Sequence, residues 1–298
     1  MLSTTHGTHR GAFAAVDWLL FSVVGTIWGS SFLFMAIGLG SFRPGLVTWL
    51  RILFGAAALW IVPGARAPVG REDRVRLLAL SISWVAIPFT LFPLAQGSVN
   101  SAIAGMLNGA APIFTVVIAT ILLRRAPGSR QLIGIPLGFL GVAAIALSAA
   151  GEGRSQVVGV VLILVATICY GIAFNIATPL QQQYGSLPVM ARILTIGTLL
   201  TAPLGLWSVP GSRFAWSSLL ATAAVGVLGT GIAFVLMGRL VGRVGPTRAS
   251  IVAYLIPVVA LLLGVFLRND DVGPFAVAGV GLVVVGASLT TRRERLDV

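Results

Sequence analysis

The chain has 298 residues, 57% of them hydrophobic and only 9% charged, with a mean hydropathy of +1.00. Soluble domains carry roughly 25% charged residues, so an ordinary water-soluble enzyme or binding module is excluded. The net charge of +12 suggests nucleic acid, but the arginines sit in short loops between apolar runs, where they orient a membrane protein, and no nucleic-acid partner is expected.

Ten apolar segments can be marked, at residues 18–39, 44–62, 76–95, 98–123, 131–149, 157–178, 188–208, 216–237, 247–267 and 273–290. Each can cross a bilayer core of about 30 Å as a helix. The first is too long for the apolar part of a signal peptide and keeps its aromatic residues to the end, so it is read as a membrane helix with Asp17 near its start. Trp28, Ser31, Phe32 and Met35 share one of its faces, beside Gly29. Trp28 falls near mid-membrane rather than in an interfacial belt, which favours a cavity lining. In the second segment Arg51 lies one to two turns from the end, so snorkelling is the default expectation. Pairing with a substrate carboxylate or a helix C-terminus is the alternative. Arg192, in the seventh, is shallower still.

The third segment contributes Trp84 and Phe89 as candidate pocket residues, with Pro88 and Pro93 as possible kinks. The fourth, residues 98–123, has no charge at all, yet Asn100, Ala104, Asn108, Ala111 and Thr115 fall on one helical face. Lipid would reject that small, polar stripe. Asn108 is the strongest polar candidate, because Pro112 lacks the N–H that would bond its carbonyl. The fifth and tenth segments are glycine-rich, with Gly134, Gly138 and Gly141 against Gly279, Gly281 and Gly286. Such residues serve either a dimer face or packing within one chain, so monomer and homodimer both stay open. The sixth segment offers Thr167, Tyr170, Gly171, Phe174, Asn175 and Thr178. Buried Tyr and Asn groups need partners, which helix-to-helix bonds or a ligand can equally supply. Cys169 is the one cysteine, so no disulfide framework exists.

The two halves echo each other. Pro257 follows Pro112 by 145 positions, and Gly134, Leu137 and Gly141 match Gly279, Leu282 and Gly286 at the same spacing. WGSSF at 28–32 is echoed by YGIAF at 170–174, 142 positions on. By this register the counterpart of Asn108 is Ala253, with Tyr254 next to it, so Tyr254 joins the candidate site. Pro88, Pro112 and Pro257 are the candidate hinges. The chain divides into two five-helix repeats, 1–150 and 151–298. An odd number of spans per repeat inserts the second half upside down, an arrangement typical of transporters. With ten spans both ends lie on one side. That side carries fourteen arginines against four on the other, which places both termini in the cytoplasm.

Two five-helix repeats, WGSSF in the first helix, Arg51 in the second and a proline-centred fourth resemble the EamA family of the drug/metabolite transporter superfamily. Within it, the chain resembles the YddG-type aromatic amino-acid exporters. The resemblance covers nearly the whole chain. It implies an all-α integral membrane protein whose ten helices surround a central cavity, with the fifth and tenth at the periphery. It also implies export of small metabolites, commonly amino acids, across a bacterial inner membrane. Members often carry a glutamate thirteen residues after the repeat proline; here Arg125 and Asp270 stand at those places.

All eight acidic residues, Asp17, Glu72, Asp73, Glu152, Asp270, Asp271, Glu294 and Asp297, lie at span ends or in loops. No mid-membrane carboxylate is available to hold a proton or a cation, which argues against a cation exporter and favours movement down a gradient. The spans hold no histidine, no acid pair and no metal-ligand spacing, so no enzyme, metal or cofactor is expected. An exporter of other metabolites or drugs, or a membrane sensor or scaffold, is the alternative to an amino-acid exporter. The expected substrate-binding set is Trp28, Ser31, Phe32, Trp84, Phe89, Asn108, Tyr170, Phe174, Asn175 and Tyr254.

Overall fold

The computed structural model describes residues 13–123, 128–150, 154–244, 249 and 252–291. Among them every regular element is helical. Five elements are single helices: α1 (Ala15–Gly38), α2 (Pro44–Ile61), α5 (Ser129–Ala150), α6 (Arg154–Tyr184) and α7 (Ser186–Ser208). Three are composite. Span α3 runs as Arg74–Leu80, a π-helical stretch Ser81–Ala86, and Ile87–Ala95. Span α4 is split into Ser101–Asn108 and Ala111–Leu123. Span α8 comprises Trp216–Ala224, a second π-helical stretch Val225–Ile232, and Ala233–Val244. The last two are α9 (Val252–Arg268) and α10 (Pro274–Thr291). Eight of these helical spans are long and apolar enough to cross a membrane, and α9 and α10 are shorter apolar helices within the described residues. Large apolar side chains such as Ile61, Leu199, Trp207, Phe266 and Phe275 point outward, as acyl-chain solvent requires.

Two sequence expectations change here. Asn100 does not lie within the fourth span. It is its N-cap, with its side-chain oxygen accepting from the Ile103 N–H at 2.9 Å. The span also breaks at Gly109 and Ala110, whose N–H groups bond three residues back, to Met106 and Leu107. The cause is Pro112, which cannot supply the donor for the Asn108 carbonyl. Pro257 sits inside α9 without interrupting it, and Pro88 opens the helical stretch after the first π segment. Arg125, together with Arg10, Arg124, Arg248, Arg292, Arg293 and Arg295, lies outside the described residues.

The packing has a regular plan. α1 packs on α8 and α9, α2 on α7 and α8, α3 on α6 and α7, α4 on α6 and α9, and α5 on α10. Exchanging each helix of the first five with the one five places later reproduces this set of neighbours. The connections interlock as well. Arg43 N–H donates to Ser212 Oγ at 2.9 Å and Arg213 N–H to the Ser41 carbonyl at 2.9 Å, joining the α1–α2 and α7–α8 loops. The α3–α4 and α9–α10 connections meet through Asn100 Nδ2 donating to the Asp271 carbonyl at 2.9 Å. On the opposite face Asp17 and Arg243 pair, linking the start of α1 to the end of α8. There too the Tyr184 hydroxyl donates to Asp73 Oδ2 at 2.9 Å.

Helices α5 and α10 meet through their glycines, so these residues serve packing within the chain. A Cβ on Gly286 would lie 2.5 Å from the Gly138 nitrogen and 2.7 Å from the Gly134 oxygen. Gly281 faces open space, with nothing within 4 Å of a Cβ. Gly286→Val is therefore expected to cost about 1–3 kcal/mol through overpacking, read as a lower unfolding temperature and less monodisperse protein. Gly281→Val should leave both unchanged.

Candidate functional site

The site begins with aromatic spacing on three helices. Trp28 and Phe32 are one turn apart on α1, Tyr170 and Phe174 one turn apart on α6, and Phe89 and Phe92 share a face of α3. Folding brings these rings into a nearly closed collar. Phe32 meets Phe92 at 5.5 Å between centroids, Phe92 stacks on Tyr170 at 5.9 Å, and Tyr170 adjoins Phe174 at 6.2 Å. Phe174 meets Trp84 edge-on at 4.9 Å, Trp84 meets Phe234 at 6.0 Å, and Phe234 returns to Trp28 at 5.7 Å. Such tilted and edge-on pairs are the favoured arrangements of ring quadrupoles.

Inside the collar is a cavity of about 160 Å³. Its polar groups are few. Trp28 Nε1 donates to the Gly229 carbonyl at 3.0 Å, tying α1 to the π segment of α8. Ser31 Oγ donates back to Ile27 O at 3.0 Å. The Asn108 amide reaches the wall where α4 breaks, and its Oδ1 is buried with no hydrogen-bond partner among the described residues. Arg51 also lines the wall, only 8% exposed. Its Nε donates to Thr230 Oγ1 at 3.3 Å, and its guanidinium carbon lies 3.8 Å from the centre of the Phe89 ring.

Of the ten expected binding residues, Trp28, Ser31, Phe32, Trp84, Phe89, Asn108, Tyr170 and Phe174 line this cavity, as does the hinge candidate Pro112. Asn175 and Tyr254 do not. Asn175 Nδ2 donates to Thr115 O at 3.1 Å and Gly171 O at 2.8 Å, binding α6 to α4. The Tyr254 hydroxyl donates to Ala287 O at 2.8 Å, binding α9 to α10. Successive helical residues point about 100° apart, so with Ala253 on the cavity wall its neighbour Tyr254 faces elsewhere. Arg51 overturns the snorkelling expectation: it is buried and inward.

Met35, Arg51, Phe92, Ala111, Gly229, Phe234, Ala253 and Ile256 complete the wall. A signal for four of them was present in the repeat. Gly229, Phe234, Ala253 and Ile256 stand 145 positions after Trp84, Phe89, Asn108 and Ala111. Tyr170 and Phe174 stand 142 after Trp28 and Phe32. The cavity is thus lined by six corresponding pairs, one member from each half.

Fold and cavity define an all-helical membrane protein organised about a small aromatic chamber. The chain belongs to the EamA-like transporter family, whose model matches it twice, over residues 17–147 and 157–292. It is 28% identical, over 93% of both chains, to a probable terminal-alkyne amino-acid exporter of Streptantibioticus cattleyicolor. An uncharacterized transporter of Archaeoglobus fulgidus is 23% identical, over 93% of this chain and 99% of the relative. The uncharacterized inner membrane transporter YedA of Escherichia coli is 25% identical, over 89% and 87%. A solved crystal structure superposes with a TM-score of 0.62 at 18% identity, over 93% and 96% of the two chains, and shares the fold.

The Trp28 to Gly229 bond offers a direct check on the collar. Trp28→Phe keeps a ring but removes the Nε1 donor to the Gly229 carbonyl, and is expected to lower stability by about 1 kcal/mol. Thermal unfolding of the purified variant measures this, and an unchanged midpoint would remove the bond from the account of the wall.

Proposed function

We propose that the protein is a secondary transporter that exports small amphipathic metabolites, foremost amino acids, from the cytoplasm by alternating access. The observation that carries this reading is the chamber itself, walled by corresponding residues of both halves. A pocket at a repeat interface changes its exposure when one half rocks against the other. The pairing plan of the helices supports two five-helix repeats of inverted topology, divided near residue 150. The arginine excess supports cytoplasmic termini, and with them a place in the bacterial inner membrane.

The two faces of the bundle differ between α4 and α9. Away from the termini the Asp270 carboxylate accepts from Ser101 Oγ at 2.6 Å and from the Ala102 N–H at 3.0 Å, capping α4. The first half of α4 packs on α9, whereas the Ala111–Leu123 half is not closely packed against it among the described residues. This favours a chamber reached from the side of the termini. Asp17, Asp73 and Asp270 are paired with arginines at span ends. The cavity wall contains no carboxylate among the described residues, which favours facilitated export over proton coupling by a side chain.

Purified protein in liposomes, tested with a panel of radiolabelled amino acids, is expected to accumulate at least one of them. An imposed pH gradient should change the rate little. Asn108→Leu should lower transport about tenfold or more, without lowering membrane abundance, because a buried polar partner is lost. Normal transport by that variant would remove Asn108 from the site, and failure of the whole panel would overturn the amino-acid reading.

A further inference from the structure

Resting on that reading, we infer that Arg51 and the Asn108 amide form a two-ended clamp for a zwitterionic α-amino acid. The guanidinium takes the carboxylate, the Asn108 Oδ1 takes the ammonium, and the aromatic collar takes the side chain.

The inference starts from an electrostatic imbalance. Arg51 is a permanent cation that is nine-tenths buried, and no ion pair reaches it among the described residues. A charge at membrane depth is expensive unless a partner or water-filled space offsets it. Its two protein contacts leave the charge itself unbalanced. The Thr230 hydroxyl occupies only Nε, and it donates its own hydrogen bond to the Val225 carbonyl at 3.2 Å. The Phe89 ring covers one face of the guanidinium. Together these contacts fix the plane of the group and leave both Nη nitrogens without a hydrogen-bond partner among the described residues. Two adjacent Nη–H groups form the fork that a carboxylate fits with two parallel bonds.

The second end is the Asn108 Oδ1. It lies on the same cavity wall, a buried acceptor without a donor among the described residues, and an ammonium group offers up to three donors. A cationic amine with no acid group has nothing to balance Arg51 and is repelled by it. A carboxylic acid with no amine satisfies Arg51 but leaves Oδ1 unpaired. The zwitterion alone satisfies both. The halves differ here as the clamp requires. The residue 145 positions after Asn108 is Ala253, which has no polar side-chain group, so the ligand has one preferred way round.

The test uses the wild-type protein in detergent, with thermal unfolding midpoints measured against L-phenylalanine, L-leucine and matched analogues. The analogues are the decarboxylated amines (phenethylamine and isoamylamine), the deaminated acids (3-phenylpropionate and 4-methylpentanoate) and the methyl esters. At least one of the two amino acids is expected to stabilise the protein. Its amine and ester should bind about tenfold to a hundredfold more weakly, and its deaminated acid should fall between. Arg51→Gln should abolish the shift, and Arg51→Lys, which keeps the charge without the fork, should weaken it about tenfold. Should Arg51→Gln not fold, the analogue ranking on wild-type protein decides. Amines or esters that stabilise as well as the parent amino acid would overturn the clamp, as would the absence of any shift with both amino acids. Stabilisation by an amino acid that the liposome assay does not see transported would overturn the carrier reading and leave the clamp standing.

Discussion

The guanidinium of Arg51, bonded to Thr230 and laid on the ring of Phe89, joins α2, α8 and α3 at the wall of the chamber. The contact depends on an irregular backbone. Thr230 belongs to the π-helical stretch of α8, and its hydroxyl finds Val225 five residues back rather than the usual four. Trp84 belongs to the matching stretch of α3. A π turn widens a helix and re-aims the residues after it, and such turns gather at functional places. Without the two stretches the third and eighth spans would present different faces to the centre, and the collar would not close.

Duplication explains most of the chamber and leaves a pointed remainder. Six pairs of wall residues correspond between the halves, and in most the chemistry is alike or merely smaller, as with Phe89 and Phe234 or Trp84 and Gly229. Arg51 and Phe92 have no such counterpart on the wall. Asn108 does, but as an alanine. The symmetric part is therefore aromatic and apolar, a shape-forming shell. The two groups without a like counterpart, the Arg51 guanidinium and the Asn108 amide, both come from the first half. A shell built twice supplies the moving frame, and departures from it supply direction.

The fold was largely legible in the sequence. Ten apolar runs, their glycine contacts and the 145-residue register all reappear as helices and neighbours, since apolar length and small-residue faces survive without knowledge of tertiary packing. The cavity lining was legible where a residue's type carried the signal, as with Trp28, Asn108 and Tyr170. It was misread where rotation about a helix decides. Counting depth from a segment's end makes Arg51 a snorkelling residue, but depth says nothing of the face, and Arg51 turns inward. Tyr254 attracted notice as a polar aromatic, yet one step of helical rotation gives the wall to Ala253. Asn100 read as part of a polar stripe because a cap and a first turn look alike in one dimension. The π stretches left no mark in composition at all.

The carboxylate of Asp270 has a consequence for how the bundle yields on that face. It holds the Ala102 N–H in the first turn of α4, which no preceding turn can bond, together with the Ser101 hydroxyl, from across the bundle. Parting α4 from α9 there strips a helix end of its acceptor in surroundings where acyl chains offer none. Only incoming solvent can make good the loss. Separation at that end is thus coupled to wetting: the gap opens as water fills it, and a dry rupture is opposed by the unpaired Ala102 amide and Ser101 hydroxyl.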